Sequence, residues 1–205
     1  MPKQVDSDAT RASLLSRARQ HDSRAWHELV DLYGPLIAHW CRRSGLDHHA
    51  SADCVQQTFT AVLRSLDGYQ ARKVSGAFRS WLWTIATNKI RDHWRSNLRE
   101  AQGTGGSTAL KALQQVPMDE LSSEVSWNDS ESVDAVQLSA LAARAREQIR
   151  EEFAPRTWEI FRRAVVDQIP TAMVAQEFSV TPAAVRQVRS RILRRLRMQL
   201  GDVEP

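Results

Sequence analysis

Cysteine is nearly absent: Cys41 and Cys54 are the two in 205 residues, and they form no CxxC pair. A disulfide scaffold is thereby excluded, since such domains are short and dense in cysteine. His48, His49 and Cys54 lie near one another, but structural zinc takes two closely spaced ligand pairs and this is one loose cluster, so no metal is expected. Long apolar runs are also missing. The start, MPKQVDSDATR, is polar and is no signal peptide, and no stretch reaches the ~20 apolar residues that span a bilayer. A cytoplasmic protein with no membrane partner is expected. Strand signals are scarce, because period-two alternation never lasts beyond a few residues and no Asn-Gly or Asp-Gly pair joins two such runs. The parts of an enzyme are missing too: no Gly-rich phosphate loop, no HExxH, no GxSxG and no convergent carboxylate pair. His21, His27 and His93 are scattered and are taken as surface or satisfied side chains. Neither a catalytic residue nor a cofactor is expected.

What the chain does have is helical periodicity from end to end, with 42% hydrophobic residues to build a core and a net charge of +4. The pattern predicts an all-α protein of two small helical domains, 8–100 and 133–201, joined by a flexible acidic linker over 101–132. The linker opens on Gln102–Thr108, QGTGGST, and no Lys or Arg occurs from Ala112 to Ala143. Trp127 within it suggests a docking point. Asp8 or Thr10 can cap a first helix to about Gln20, and Asp22 or Ser23 a second to about Arg43, interrupted at Gly34-Pro35. A third helix, about Ala50 to Leu66, turns Val55, Phe59, Val62, Leu63 and Leu66 inward. Asp53, Gln57, Thr60 and Arg64 lie opposite, with Gln56 at the margin.

Two basic helices carry the chemistry. In Phe78–Arg95, FRSWLWTIATNKIRDHWR, the apolar residues Phe78, Trp81, Leu82, Trp83, Ile85, Ala86, Ile90 and Trp94 cover more than half the wheel. Ser80, Thr84, Thr87, Asn88, Arg91 and Arg95 gather in the remaining arc, without a carboxylate. Donors without acid suit phosphates and base edges. Near the C-terminus, a short helix over about 170–178 meets the turn Ser179-Val180-Thr181. Thr181 can cap the next helix and Pro182 sits at its first position, the layout of a helix-turn-helix. In that last helix Val185, Val188, Ile192, Leu193, Leu196 and Leu200 face inward, while Arg186, Gln187, Ser190, Arg191, Arg194 and Arg197 share the outer side. Arg189 falls near the apolar side and must snorkel. Six Arg and no acid lie between Pro182 and Met198, which favours DNA over a solvated face.

Taken together, SLLSRARQHDSRAWHELVDLY, DCVQQTF, the helix-turn-helix and the pattern of Trp81, Leu82, Ile85, Ala86, Asn88, Asp92 and Arg95 resemble the bacterial RNA polymerase sigma factors of the extracytoplasmic-function (ECF, group IV) class. The resemblance covers about Ser13 to Leu200 except the linker. It implies a promoter-specificity subunit without catalysis, binding core RNA polymerase at the β′ coiled coil and β flap, binding promoter DNA, and, as is usual for the class, masked by an anti-sigma factor. On matching positions it gives core binding to Asp53, Gln56, Gln57, Thr60 and Arg64. It gives −10 reading and melting to Tyr69, Arg72, Lys73, Trp81, Thr84, Asn88, Arg91 and Arg95, and −35 reading to Arg186, Gln187, Ser190, Arg191 and Arg194. The sequence departs from the family in three places: Ser179 stands where its turn usually has Gly, Pro170 takes the usual helix-capping position, and the loop 69–77 is a few residues longer than usual. The competing reading is a stand-alone helix-turn-helix transcriptional regulator.

Overall fold

Helix begins where a side chain can take up free N–H groups. The Ser13 hydroxyl accepts from Ser16 N, the Asp22 carboxylate from Arg24 N and Ala25 N, the Asp47 carboxylate from Ala50 N, and the Thr181 hydroxyl from Ala184 N. Burial pushes the Asp22 carboxyl up, but the Ala25 and Arg24 N–H donors and the Arg17 guanidinium outweigh it and hold it below the usual range. The computed structural model describes residues 13–70, 76–104 and 135–201. Asp8, Thr10, Arg72, Lys73 and Trp127 lie outside the described residues, as does most of the expected linker. Among the described residues the chain is all-α and has no strand: α1 (Leu14–Arg19), α2 (Ser23–Arg43), α3 (His48–Ser65), α4 (Ala77–Thr104), α5 (Ala135–Ile149), α6 (Pro155–Phe161), α7 (Thr171–Glu177) and α8 (Pro182–Gln199).

Several expected boundaries move for local reasons. Capped by Asp47, α3 begins at His48, two residues before Ala50, and α4 continues past the expected Arg95 to Thr104. Helix α2 runs unbroken through Pro35, so the expected interruption is absent; proline forfeits one backbone bond there while the flanking turns pack into the core. Helix α6 ends at Phe161 and the chain continues in a π-turn, Arg162–Val166.

The largest core cluster joins α1 to α4, with Leu14, Leu29, Leu32, Leu36, Ile37, Val62 and Leu82 fully buried. Each such side chain contributes about 1.5–3 kcal/mol relative to exposure. Trp40 and Trp83 meet edge to face at 4.9 Å between centroids. Cys41 and Cys54 are free and buried in this core, and a hydrogen bond to Cys54, together with burial, pushes the Cys41 thiol up. Leu63 is not core: it is 48% exposed, one position past the buried Val62 and out of reach of the α2–α4 groove. Helices α5 to α8 hold two smaller clusters, Ile160 with Val174, Ala175 and Val185, and Phe161 with Ile149 and Ile192. Leu141 and Ala145 of α5, and Leu196 and Leu200 of α8, pack instead on the large cluster. The C-terminal helices therefore lean on the N-terminal bundle.

Candidate nucleic-acid interface

Three surfaces collect the residues singled out by the sequence. On α3, Asp53, Gln56, Gln57, Thr60 and Arg64 are all exposed and share one side, with the Thr60 hydroxyl donating to the Gln56 carbonyl at 2.9 Å. The exposed Leu63 adds an apolar element to this face that the helical wheel had assigned to the core.

Helix α4 is anchored by Phe78, Leu82, Ala86 and Ile90, buried at four-residue spacing. Away from that seam lie Trp81, half-buried, Thr84 and Asn88, exposed, Arg91, half-buried, and Arg95, exposed. Their spacing of three, four, three and four residues makes one continuous strip. Two corrections apply. Thr87 is only 6% exposed and its hydroxyl is buried without a hydrogen-bond partner, so it belongs to the wall of the bundle. Nor is the strip free of acid: the exposed Asp92 lies 3.9 Å from Arg95 and 3.7 Å from Lys89. Exposed pairs this long are worth about 0–1 kcal/mol, so both cations remain able to turn to a phosphate. Tyr69 also differs from expectation. It is 8% exposed, its ring 4.8 Å from Trp81 and 5.6 Å from Phe78, so it backs the strip rather than facing solvent. Trp81 is the aromatic on the accessible side.

The third surface is built by the turn between α7 and α8. Ser179 adopts φ 51°, the left-handed conformation that glycine takes without strain. Val180 N then donates to Ala175 O at 2.9 Å, and Pro182 starts α8 with its missing donor among the groups a helix leaves free. Arg156 of α6 donates to the Phe178 carbonyl, and Arg163 pairs with Glu177, tying α6 and its π-turn to α7. Arg186, Gln187, Ser190, Arg191 and Arg194 are all exposed on α8. The Arg191 guanidinium lies 5.6 Å from the centroid of Phe153, which fixes its direction without burying it. Arg189 was placed on the apolar side by the wheel, yet it is exposed. With Arg186, Ser190, Leu193 and Arg197 it lines an open depression of about 290 Å³. Their spacing at i, i+3, i+4, i+7 and i+11 was the available signal. The buried cation is Arg195 instead, 8% exposed and held by Glu152 and Gln199.

An exposed donor strip on α4 above an aromatic seam and a free basic recognition helix thus stand on one chain. Residues 29–100 match the description of Sigma-70 region 2, which takes in both α3 and the strip of α4. This part of the chain is similar to sigma-70 region 2. The chain is 38% identical over 80 residues to the RNA polymerase sigma factor NccH of Alcaligenes xylosoxydans xylosoxydans and 35% over 82 residues to CnrH of Cupriavidus metallidurans. These matches take in 39% and 40% of the chain and 41% of each relative, so the chain spans about two-fifths of their length. The ECF RNA polymerase sigma factor ShbA of Streptomyces griseus subsp. griseus is 28% identical over 203 residues, 94% of this chain and 96% of that protein. The region 2 match runs from within α2 to within α4, and the likeness to ShbA extends beyond it to the C-terminal helices. Among the described residues no helix is long and apolar enough to cross a membrane, and no group of three or more His, Cys, Asp and Glu side chains gathers as a metal site would require.

Proposed function

We propose that this chain is a non-catalytic promoter-specificity subunit that acts in the cytoplasm, joining core RNA polymerase to promoter DNA and opening the duplex. The observation that carries the reading is the presence, in one chain, of the region 2 donor strip and an unobstructed helix-turn-helix face. The exposed side of α3, Asp53, Gln56, Gln57, Thr60 and Arg64 with Leu63 beside them, takes the β′ coiled coil. The C-terminal helices take the β flap. Arg186, Gln187, Ser190, Arg191 and Arg194 enter the major groove at −35, where Arg suits guanine and Gln suits adenine.

At −10, strand opening forfeits roughly 1.4 kcal/mol of stacking per base-pair step. A non-template base drawn onto an aromatic side chain regains about 1–3 kcal/mol. Trp81 offers that face, and Asn88, two turns along the same side of α4, offers a donor and an acceptor to a base edge. Thr84, Arg91 and Arg95 hold the adjoining phosphates, and Tyr69, with Arg72 and Lys73 of the loop, sets where the base enters. An anti-sigma factor covering these faces completes the partner set.

Purified chain added to core polymerase starts transcription from a closed duplex promoter if this reading holds. A stand-alone regulator would bind the duplex and yield no transcript with core enzyme alone.

A further inference from the structure

The segment that joins α5 to α6 holds α8 at two points. After Ile149 the chain makes one tight turn, Arg150–Glu152, which ends with Phe153 N donating to the Arg150 carbonyl at 3.2 Å. The turn sets Glu152 and Phe153 against two arginines that stand one helical turn apart on α8. The Glu152 carboxylate accepts from Arg195 Nε at 2.7 Å and from its Nη2. The Phe153 ring lies against the Arg191 guanidinium, 5.6 Å from cation to centroid. The ring is in turn held from behind. Phe153 stacks on Trp158 at 6.2 Å between centroids with planes 30° apart, and Trp158 meets Phe161 at 5.5 Å. Phe161 is buried in the cluster of Ile149 and Ile192. Three rings thus run from the core of the C-terminal helices out to one arginine of the exposed basic face.

The other arginines of that face are not braced. Arg186, Arg189, Arg194 and Arg197 are exposed and form no ion pair or ring contact with a described residue. Each must give up rotamer freedom when it meets DNA, whereas Arg191 has lost part of that freedom already. Its place on the helix makes the difference count. Arg191 stands about 140° round the axis from Arg186, at the edge of the exposed arc. An unbraced arginine at such an edge reaches a phosphate as readily as a base, because the guanidinium serves both. A ring against it restricts the directions in which its fork of N–H donors can point.

We propose that Phe153 is a positioning residue for −35 readout: without contacting a base, it sets through Arg191 how sharply one base pair is discriminated. The proposal rests on the promoter reading for the base that Arg191 meets, though not for the hold of Phe153 on Arg191. Phe153→Leu removes the π face and keeps an apolar side chain, so Arg191 is freed while the turn stays filled. An exposed cation–π contact corresponds to a factor of about two to five in an equilibrium, and discrimination at that base pair should fall by as much. Phe153→Tyr keeps the ring and should keep the discrimination.

Duplexes selected by the wild-type full chain from a randomised pool supply the sequence for the test. Binding is then compared across all single-base-pair variants for wild type, F153L, F153Y, R191A and F153L/R191A. R191A should lose its preference at one base pair. F153L should lower discrimination at that pair alone, about two- to fivefold, F153Y should match wild type, and F153L should change nothing further in the R191A chain. A merely structural role would weaken binding at every position and would add to the loss in R191A. Uniform loss in either single variant, additive losses in the double variant, or sharper discrimination in F153L would overturn the proposal. In the free chain the Phe153 ring current should shift the Arg191 side-chain protons upfield in the NMR spectrum, a shift kept in F153Y and lost in F153L. Its absence from wild type would overturn the proposal as well. Failure of wild type to select any duplex, with that shift present, would instead sink the promoter reading, and the −35 role with it, while the hold of Phe153 on Arg191 stands.

Discussion

Replacing Arg195 by Met should damage the fold and leave DNA contact untouched, whereas its neighbour Arg194 should do the reverse. Arg195 is 10% exposed at its side chain and Glu152 23%, and the guanidinium grips the carboxylate with two bonds, one of 2.7 Å from Nε. Its Nη1 also donates to Gln199 Oε1 at 2.9 Å. Removing one partner of a fully buried pair costs about 3–5 kcal/mol, because the other charge is left without compensation. Glu152 keeps nearly a quarter of its surface in water, so the expected loss is smaller, ~2–3 kcal/mol. Urea unfolding should show it as a lower midpoint at constant slope. Adding Glu152→Leu should recover most of it, since apolar replacement of both partners is often neutral. Binding to a −35 duplex, measured against salt, should keep its slope in R195M and lose about one unit in R194A, which removes one cation from the proposed groove-facing side. A loss under roughly 0.5 kcal/mol in R195M with a slope lowered by one would refute the reasoning and make Arg195 a DNA ligand.

Ser179→Gly should stabilise the protein by about 0.4–1 kcal/mol in thermal or urea unfolding, because the left-handed turn at φ 51° then carries no Cβ strain; a destabilised variant would mean that the Ser179 side chain holds the turn. Arg191→Ala should cost about 1–3 kcal/mol at one −35 base pair in a binding screen over single-base variants, and a uniform loss across sequences would show a phosphate contact instead. Asn88→Ala should slow open-complex formation, followed by permanganate reactivity of unpaired thymines, with core binding retained; normal opening at a strong promoter would remove Asn88 from the base-holding role. The Ala50 N–H bond to Asp47 holds that carboxyl below its usual value of 3.8. Its contribution to stability is therefore full above the unfolded value and lost as pH falls through the lower folded one. Asp47→Asn should cap comparably at neutral pH and remove that part of the acid loss, seen as a shallower melting-temperature slope below about pH 4.

Legibility in the sequence followed range. Caps are local, so Asp22, Thr181 and Pro182 could be placed from their neighbours, and the wheel of α8 correctly turned Arg186, Gln187, Ser190, Arg191 and Arg194 outward. The all-α class, the helix-turn-helix and the region 2 pattern came from the same short-range signals. A wheel fails where two helices crowd one side of a third. Thr87 lies on the polar arc by angle and is buried by packing, while Leu63 lies on the apolar arc and is exposed because no element covers it. Arg189 was turned toward the apolar side and is exposed, and period alone does not reveal that Glu152, 43 residues from Arg195, holds that guanidinium instead. Tyr69 was matched to a DNA-facing aromatic by its place in the family pattern, and only the rings of Phe78 and Trp81 show where it rests.

Helix α8 divides its packing by position along its 18 residues. Its first turn and its middle are held by Val185, in the cluster of Ile160, Val174 and Ala175, and by Ile192, in that of Ile149 and Phe161. Neither cluster contains a buried residue of α1 to α4, so the helix-turn-helix keeps its shape whether or not region 2 is attached. The last turn is different, because Leu196 and Leu200 pack on the large cluster and Gln199 bonds across to Glu28. Gln199 also accepts from Arg195, which Glu152 holds in place. Gln199 therefore joins two sets of contacts, one to Arg195 within the C-terminal helices and one to Glu28 of α2, and the exposed basic residues Arg186 to Arg194 take part in neither.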